Sequence, residues 1–287
     1  MKYAVFTVST PAYAPDEAAR KIKEVGYDGI EWRVMDDDTS IEPPSFWSGN
    51  KATLPLTGFV GDAPKWGEMT VAAGLDMPAI ATYVKCHDTE QAEAAIAGCA
   101  ALGAPALRIQ VPHYDGSESY ATLWDTSIRQ YAEIAEMARH HGVKVLVELH
   151  HRTIIASASA ARAFLDGLDP EHVGAIHDAG NMVIEGWEHP RAAFEILGPY
   201  LAHVHMKNAR WTPGETLHDG TVTWESSFCP IPEGIADVRT VVRSLRQVGY
   251  DGWITFEDFS TQRSVEENLV NNLAYIKAIV AEVDSQA

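Results

Sequence analysis

The segment Lys144-Val-Leu-Val-Glu-Leu-His-His151 decides how the chain is read. It is apolar and β-branched until it reaches Glu148, so it reads as a strand whose charge arrives only at its carboxyl end. The strand period of two puts Leu146, Glu148 and His150 on one face. Helical periodicity occupies Tyr120 to His141 before it and Ala158 to Leu168 after it.

Working outward, the same alternation runs from one terminus to the other. Strands are expected at Tyr3 to Thr7, Gly29 to Arg33, Ala79 to Val84, Ala106 to Val111, Lys144 to Leu149, Val173 to Asp178, Leu201 to Met206 and Trp253 to Glu257. The matching helices are Pro15 to Val25, Lys65 to Leu75, Asp88 to Leu102, Tyr120 to His141, Ala158 to Leu168, Pro190 to Leu197, Ile235 to Val248 and Ser264 to Val283. Eight strand-helix pairs in 287 residues predict an α/β fold, a single (β/α)₈ TIM barrel spanning 1–287 as one domain. Asp88 with Gln91 fits an N-cap, and Gly26, Gly103, Gly142 and Gly249 stand where helices should stop. Glu24-Val-Gly-Tyr-Asp-Gly-Ile-Glu-Trp32 and Gln247-Val-Gly-Tyr-Asp-Gly-Trp-Ile-Thr255 look like one helix-to-strand joint used twice. Long βα loops are expected at 35–64 and 207–234, on the face of a barrel where binding groups collect.

Composition narrows the partners. Lys and Arg number 22 against 40 Asp and Glu, a formal net charge of −18, and even full protonation of the 12 histidines leaves the chain acidic. Nucleic acid and anionic membrane surfaces both need a cationic footprint, so neither is expected as a partner. Cys86, Cys99 and Cys229 are odd in number and widely spaced, without a CxxC pair, which points to free thiols and the cytoplasm. The opening apolar run, Ala4 to Val8, is too short for a secretory segment, and no stretch of about 18 apolar residues occurs.

Three further strands repeat the pattern of Glu148. Val-Gly-Ala-Ile-His-Asp178, Leu-Ala-His-Val-His205 and Trp-Ile-Thr-Phe-Glu257 each carry an ionisable residue to the carboxyl end. In a barrel these ends converge, and three carboxylates that close cannot all stay ionised without a cation. Three oxygens and an imidazole suit Mn²⁺ first, with Mg²⁺, Co²⁺ or Zn²⁺ tolerated.

Glu148 with His150, His177-Asp-Ala-Gly-Asn181, His203-Val-His-Met-Lys207 and Trp253-Ile-Thr-Phe-Glu-Asp-Phe259 together resemble the sugar isomerase and epimerase superfamily of xylose-isomerase-like barrels. The resemblance spans essentially the whole chain and implies that Glu148, Asp178, His205 and Glu257 bind the metal. His205 is preferred to His203 because it lies nearer the strand end and the family ligand is the second His of that pair. The resemblance also implies a small sugar or keto-polyol substrate, an enediolate route with Glu148 and Glu257 as acid and base, and a homo-oligomer.

His150, Asn181, Lys207 and Arg210 are expected to contact the substrate or its immediate surroundings, with Arg108 and His113 at the same rim. Arg108, Lys207 and Arg210 could supply a phosphate site. The sequence departs from the epimerases here. Lys207 and Asn208 stand where they carry a Glu, Arg210 comes one residue earlier than their Arg, and Asn181 replaces a His. A Lys at that point can protonate a leaving oxygen, closer to the inosose dehydratase pattern. Two reactions therefore stay open, isomerisation or epimerisation, and a lyase that dehydrates a keto-inositol or cleaves a 3-keto-glycoside. Apurinic endonucleases share the superfamily, but the −18 charge opposes DNA binding, and a catalytically silent barrel is the fourth reading. Glu31 is expected to pair with Arg108 or Arg33 inside the barrel or to bind a hydroxyl. Phe46, Trp47, Trp187 and Trp211 are expected to cover a sugar ring.

Overall fold

A computed structural model describes residues 1–286. The chain runs β1 (Lys2–Phe6), α1 (Pro15–Val25), β2 (Gly29–Val34), β3 (Thr53–Leu54), α2 (Phe59–Ala72), β4 (Ile80–Lys85), α3 (Thr89–Leu102), β5 (Ala106–Gln110), α4 (Tyr120–His141) and β6 (Lys144–Glu148). It continues through α5 (Ala158–Leu165), β7 (Val173–Asp178), α6 (Ala179–Ile184), α7 (Pro190–Leu197), β8 (Leu201–Met206), β9 (Asn208–Thr216), β10 (Val222–Cys229), α8 (Val238–Gln247), β11 (Trp253–Phe256) and α9 (Val265–Ser285).

Eight parallel strands close on themselves in the order β1-β2-β4-β5-β6-β7-β8-β11, with β1 paired to both β2 and β11. This is a (β/α)₈ barrel, and closure leaves no edge except where short β3 extends β2. Side chains alternate across each strand. Val145 and Val147 face the helices and join the main core, whereas Leu146, with Ala79, Ala106 and Ile176, forms a small apolar plug inside the barrel. Above that plug, toward the carboxyl ends, the interior turns polar.

The helices start and stop for local reasons. Pro15 opens α1 with Asp16 and Glu17 in its first turn, and Gly26 ends it in the left-handed region. Asp88 caps α3 by accepting from the Gln91 backbone, while the Gln91 amide returns to the Asp88 carboxylate rather than to its backbone. Ser264 and Glu267 form a complete capping box on α9. Both copies of the Gly-Tyr-Asp-Gly joint clamp the start of β1: Asp28 accepts from the Tyr3 backbone, and Asp251 takes the terminal ammonium.

Three expectations about elements need correction. Helix α2 starts at Phe59 and holds Pro64 inside, not from Lys65 onward, because the carbonyl that loses its partner belongs to Val60, in an exposed first turn. The 207–234 connection is not irregular but an antiparallel hairpin of β9 and β10. Asn208 moors its base, donating to the Ile231 and Ala236 carbonyls and accepting from the Ala236 backbone. The third correction is α6, where Asp178 accepts from the Asn181 backbone and starts one helical turn directly after β7.

Candidate active site

Strands β6, β7, β8 and β11 lie side by side in the barrel wall, and each carries one of the four expected donors in its last two residues or runs directly into it. Glu148, Asp178, His205 and Glu257 are all buried, and one ligand atom from each falls within 4.8 Å of the others. His205 Nδ1 stands 3.6 Å from Glu148 Oε1 and 3.9 Å from Asp178 Oδ2. Donors about 2.1 Å from one ion stand roughly 3 to 3.5 Å apart, so this spacing suits a shared cation. His205 Nδ1 is also buried without a hydrogen-bond partner, and Asp178 Oδ2 has only the Lys207 ammonium beside it at 3.0 Å.

His203 and His205 part company here. His203 Nε2 donates to Glu31 Oε2 at 2.9 Å, and His205 Nε2 donates to the same carboxylate at 3.1 and 3.2 Å. Glu31 therefore takes both rings rather than pairing with Arg108 or Arg33, which corrects the sequence expectation. Arg33 instead binds Asp37 at 2.7 Å. Burial alone would raise the Glu31 carboxyl, but His205 and His203 together hold it below the usual carboxylate range. Burial opposes a charge on His205, yet Glu31 and Glu148 outweigh it and raise the imidazole well above its ordinary value.

The remaining charges show what the cluster lacks. Arg108 Nη1 donates to Glu148 Oε2 at 2.5 Å, and Lys207 lies 3.0 Å from Asp178 Oδ2 while also pairing with Glu257. Burial opposes ionisation of Glu148, but Arg108, His205 and Lys207 hold its carboxyl well below the carboxylate range. Asp178 goes the other way. Burial, with Glu257 and Glu148 adding, lifts it to about 7 despite Lys207 beside it. Arg108 and Lys207 do not neutralise the four buried carboxylates Glu31, Glu148, Asp178 and Glu257, and a divalent cation would complete the balance. The donor chemistry and the unpartnered His205 Nδ1 fit such an ion.

The other expected residues divide. Arg108, His113, His150 and Lys207 line a cleft of about 400 Å³ above the cluster, with Glu148 and Glu257. Burial pushes the His150 imidazole down to about 3, so it stays neutral near pH 7, and its Nδ1 faces the His151 carbonyl at 2.7 Å. Asn181 is not at the cleft surface. Its amide donates to Glu148 Oε1 and the Leu149 carbonyl, both at 3.1 Å, and its oxygen faces His151 Nδ1 at 2.9 Å. Asn181 therefore has its polar groups committed to protein partners and steadies Glu148. Arg210 is also outside the cleft lining, on the hairpin, with its guanidinium 3.8 Å from Glu233, so the expected phosphate trio does not assemble. Trp47 lines the cleft with Phe228 and Phe259, and Phe46 packs behind Phe259. Trp187 and Trp211 do not line it; the Trp211 indole donates to the Val183 carbonyl.

The cleft also holds Tyr83, Lys85, Gln110 and His151, none of them anticipated. Lys85 and Gln110 close β4 and β5 and follow the same rule that revealed Glu148, a polar residue at the carboxyl end of a strand. His151 escapes the rule because β6 ends at Glu148 and the alternation ends with it.

The family model for the xylose isomerase-like TIM barrel matches residues 19–279. The chain belongs to that family. Among curated relatives of this barrel, an inosose dehydratase of Lacticaseibacillus casei is 22% identical over 151 residues, 51% of this chain and 49% of that protein. The chain spans about half the length of the curated relatives it matches. Among solved structures, an L-ribulose 3-epimerase superposes with a TM-score of 0.74 at 17% identity, covering 99% of this chain and 96% of that one. A xylose isomerase-like barrel protein from Mycobacterium smegmatis, in complex with magnesium, gives a TM-score of 0.70 at 20% identity over 98% and 97%. A dehydratase and a sugar epimerase are thus among the proteins this barrel resembles. No helix among the described residues is long and apolar enough to cross a membrane.

Proposed function

We propose that this barrel is a divalent-metal-dependent isomerase or epimerase of a ketose, aldose or keto-polyol, with the cation held by Glu148, Asp178, His205 and Glu257. The observation that supports it is the convergence of those four buried donors, with His205 Nδ1 left without a hydrogen-bond partner inside the set. When bound, the cation polarises a substrate carbonyl and offsets the charge that builds on oxygen as a carbon-bound proton leaves. The hard, mostly oxygen donor set favours Mn²⁺, with Mg²⁺, Co²⁺ or Zn²⁺ as substitutes.

The protein's own residues supply the rest. Glu148 is fixed by Arg108 and Asn181, and Glu257 by Lys207, so the two carboxylates keep separate orientations. One takes the proton from substrate carbon and the other returns a proton to the opposite face, which inverts or relocates the centre. Phe228, Phe259 and Trp47 cover the substrate and restrict water.

A second reading, elimination from a keto-inositol or a 3-keto-glycoside, is favoured by Lys207, whose ammonium lies between Asp178 and Glu257 and can protonate a departing oxygen. The inosose dehydratase relatives support it too. Metal analysis of the purified protein, then a screen of free ketoses, keto-inositols and 3-keto-glycosides in deuterated buffer, tests both. Epimerisation or isomerisation leaves the carbon skeleton intact with deuterium at one carbon, whereas elimination gives an unsaturated or diketo product absorbing in the ultraviolet. A protein that retains no divalent cation, or works equally well after chelation, overturns the metal reading.

A further inference from the structure

The wall of the cleft built by β4 and β5 offers hydrogen-bond donors without matching acceptors. Lys85 and Gln110 are register partners, and Lys85 Nζ donates to Gln110 Oε1 at 2.6 Å. That bond fixes the amide, so Gln110 Nε2 is a donor with no acceptor among the described residues. Arg108 shares the strand face of Gln110. It spends Nη1 on Glu148 and Nε on the Thr82 carbonyl, while its buried Nη2 has no partner. No carboxylate stands within ion-pair distance of Lys85 among the described residues. Burial, with the neighbouring Arg108, lowers its pKa, as expected of a cation without a counter-charge.

Charge counting leads to the same place. A divalent cation, Lys207 and Arg108 would balance the buried carboxylates Glu31, Glu148, Asp178 and Glu257, which leaves Lys85 in surplus. A chain with a formal charge of −18 thus holds an unpaired cation and two unpartnered donors in the wall of this cleft. Such a wall attracts a ligand that accepts hydrogen bonds and carries negative charge.

We infer that Lys85, Gln110 and Arg108 form a subsite for an anionic group, a carboxylate or a phosphate ester, so that the substrate is an acidic sugar derivative rather than a neutral one. The inference rests on the cleft being the sugar site proposed above. The test compares D-glucitol with D-gluconate and D-glucitol 1-phosphate, three polyols that differ only at C1, by ligand-observed NMR titration on Mg²⁺-loaded protein at low salt. An acid that gains charge-assisted hydrogen bonds should bind about tenfold or more tightly than glucitol. Whichever acid holds that advantage identifies the anionic group. The advantage should shrink with added salt and fall to near unity in Lys85→Gln and in Gln110→Glu, which puts a carboxylate where the acid would sit.

Equal affinities for all three polyols in the native protein overturn the inference. So does an advantage that survives in both variants, because the acid would then be held by the metal or Lys207. The failure of the metal reading is registered separately, as loss of Mg²⁺ or Mn²⁺ on dialysis before any polyol is added. The comparison of native protein with Lys85→Gln is therefore repeated after EDTA treatment, and if it shows no difference there or with Mg²⁺, the subsite is absent.

Discussion

Glu31 bonds to no member of the donor quartet except His205, yet replacing it should loosen the metal. Its carboxylate accepts from both His203 and His205 through three contacts of 2.9, 3.1 and 3.2 Å in a fully buried position. This fixes the proton on His205 Nε2 and turns Nδ1 toward Glu148 and Asp178. In Glu31→Gln one oxygen survives, but the amide nitrogen meets the N–H of the other ring, and a buried donor is stranded at a cost of about 1 to 3 kcal/mol of stability. A metal-ligating histidine that loses its carboxylate tether typically loses about 10- to 100-fold in metal affinity, or ~1.4 to 2.8 kcal/mol. Chelator competition measures the dissociation constant, and urea unfolding of the metal-free protein measures stability. His203→Gln is the control, since it disturbs the same carboxylate without touching the quartet, and its metal affinity should stay within about threefold of native. If Glu31→Gln loses stability like the control but binds metal as tightly as the native protein, Glu31 is structural only and the orienting argument fails.

Other outcomes follow from the same geometry. Glu257→Gln should lower turnover by about 10² to 10⁴-fold while the far-ultraviolet dichroism stays native, and near-native turnover would remove Glu257 from the acid and base roles. A divalent ion at about 100 times its dissociation constant should raise unfolding stability by ~2.7 kcal/mol, reversed by EDTA; an unchanged midpoint would mean that no such site forms. Gly180 passes so close to Lys207 that an added Cβ would stand 2.5 Å from its Cγ and 3.1 Å from its backbone carbon. Gly180→Ala should therefore cost about 1 to 3 kcal/mol and displace the lysine, and native stability would show that the contact relaxes freely.

The barrel was legible because its evidence is local: β-branched runs, helical period and glycine stops recur along the chain, and four helices start and end at the expected residues or within one of them. The gathering of Glu148, Asp178, His205 and Glu257 was legible for a related reason, since residues at equivalent strand ends meet once a barrel closes. Pairings across the barrel were not. Glu31 and His203 are 172 positions apart, and nothing local says that two histidines outcompete two arginines for one carboxylate. Asn181 illustrates another limit, because an amide beside a site serves ligand or protein equally well until the positions of Glu148 and Leu149 are known. The hairpin could have been found, since Asp219-Gly220 is a turn signal between two β-prone runs. Its length and the prolines around it read as a loop instead.

The ion pair between Arg108 and Glu148 has a broader meaning for how such a barrel can diversify. The quartet comes from β6, β7, β8 and the end of β11, whereas Lys85, Arg108 and Gln110 stand on β4 and β5, so on the proposed reading chemistry and selectivity occupy different arcs of one ring. Substitutions on β4 and β5 can then retune which molecule is admitted while the quartet's arc keeps its reactivity. Arg108 is the seam between them: a change there alters the taste of the cleft and the acidity of Glu148 in a single step, which makes it the costliest position on the rim to vary.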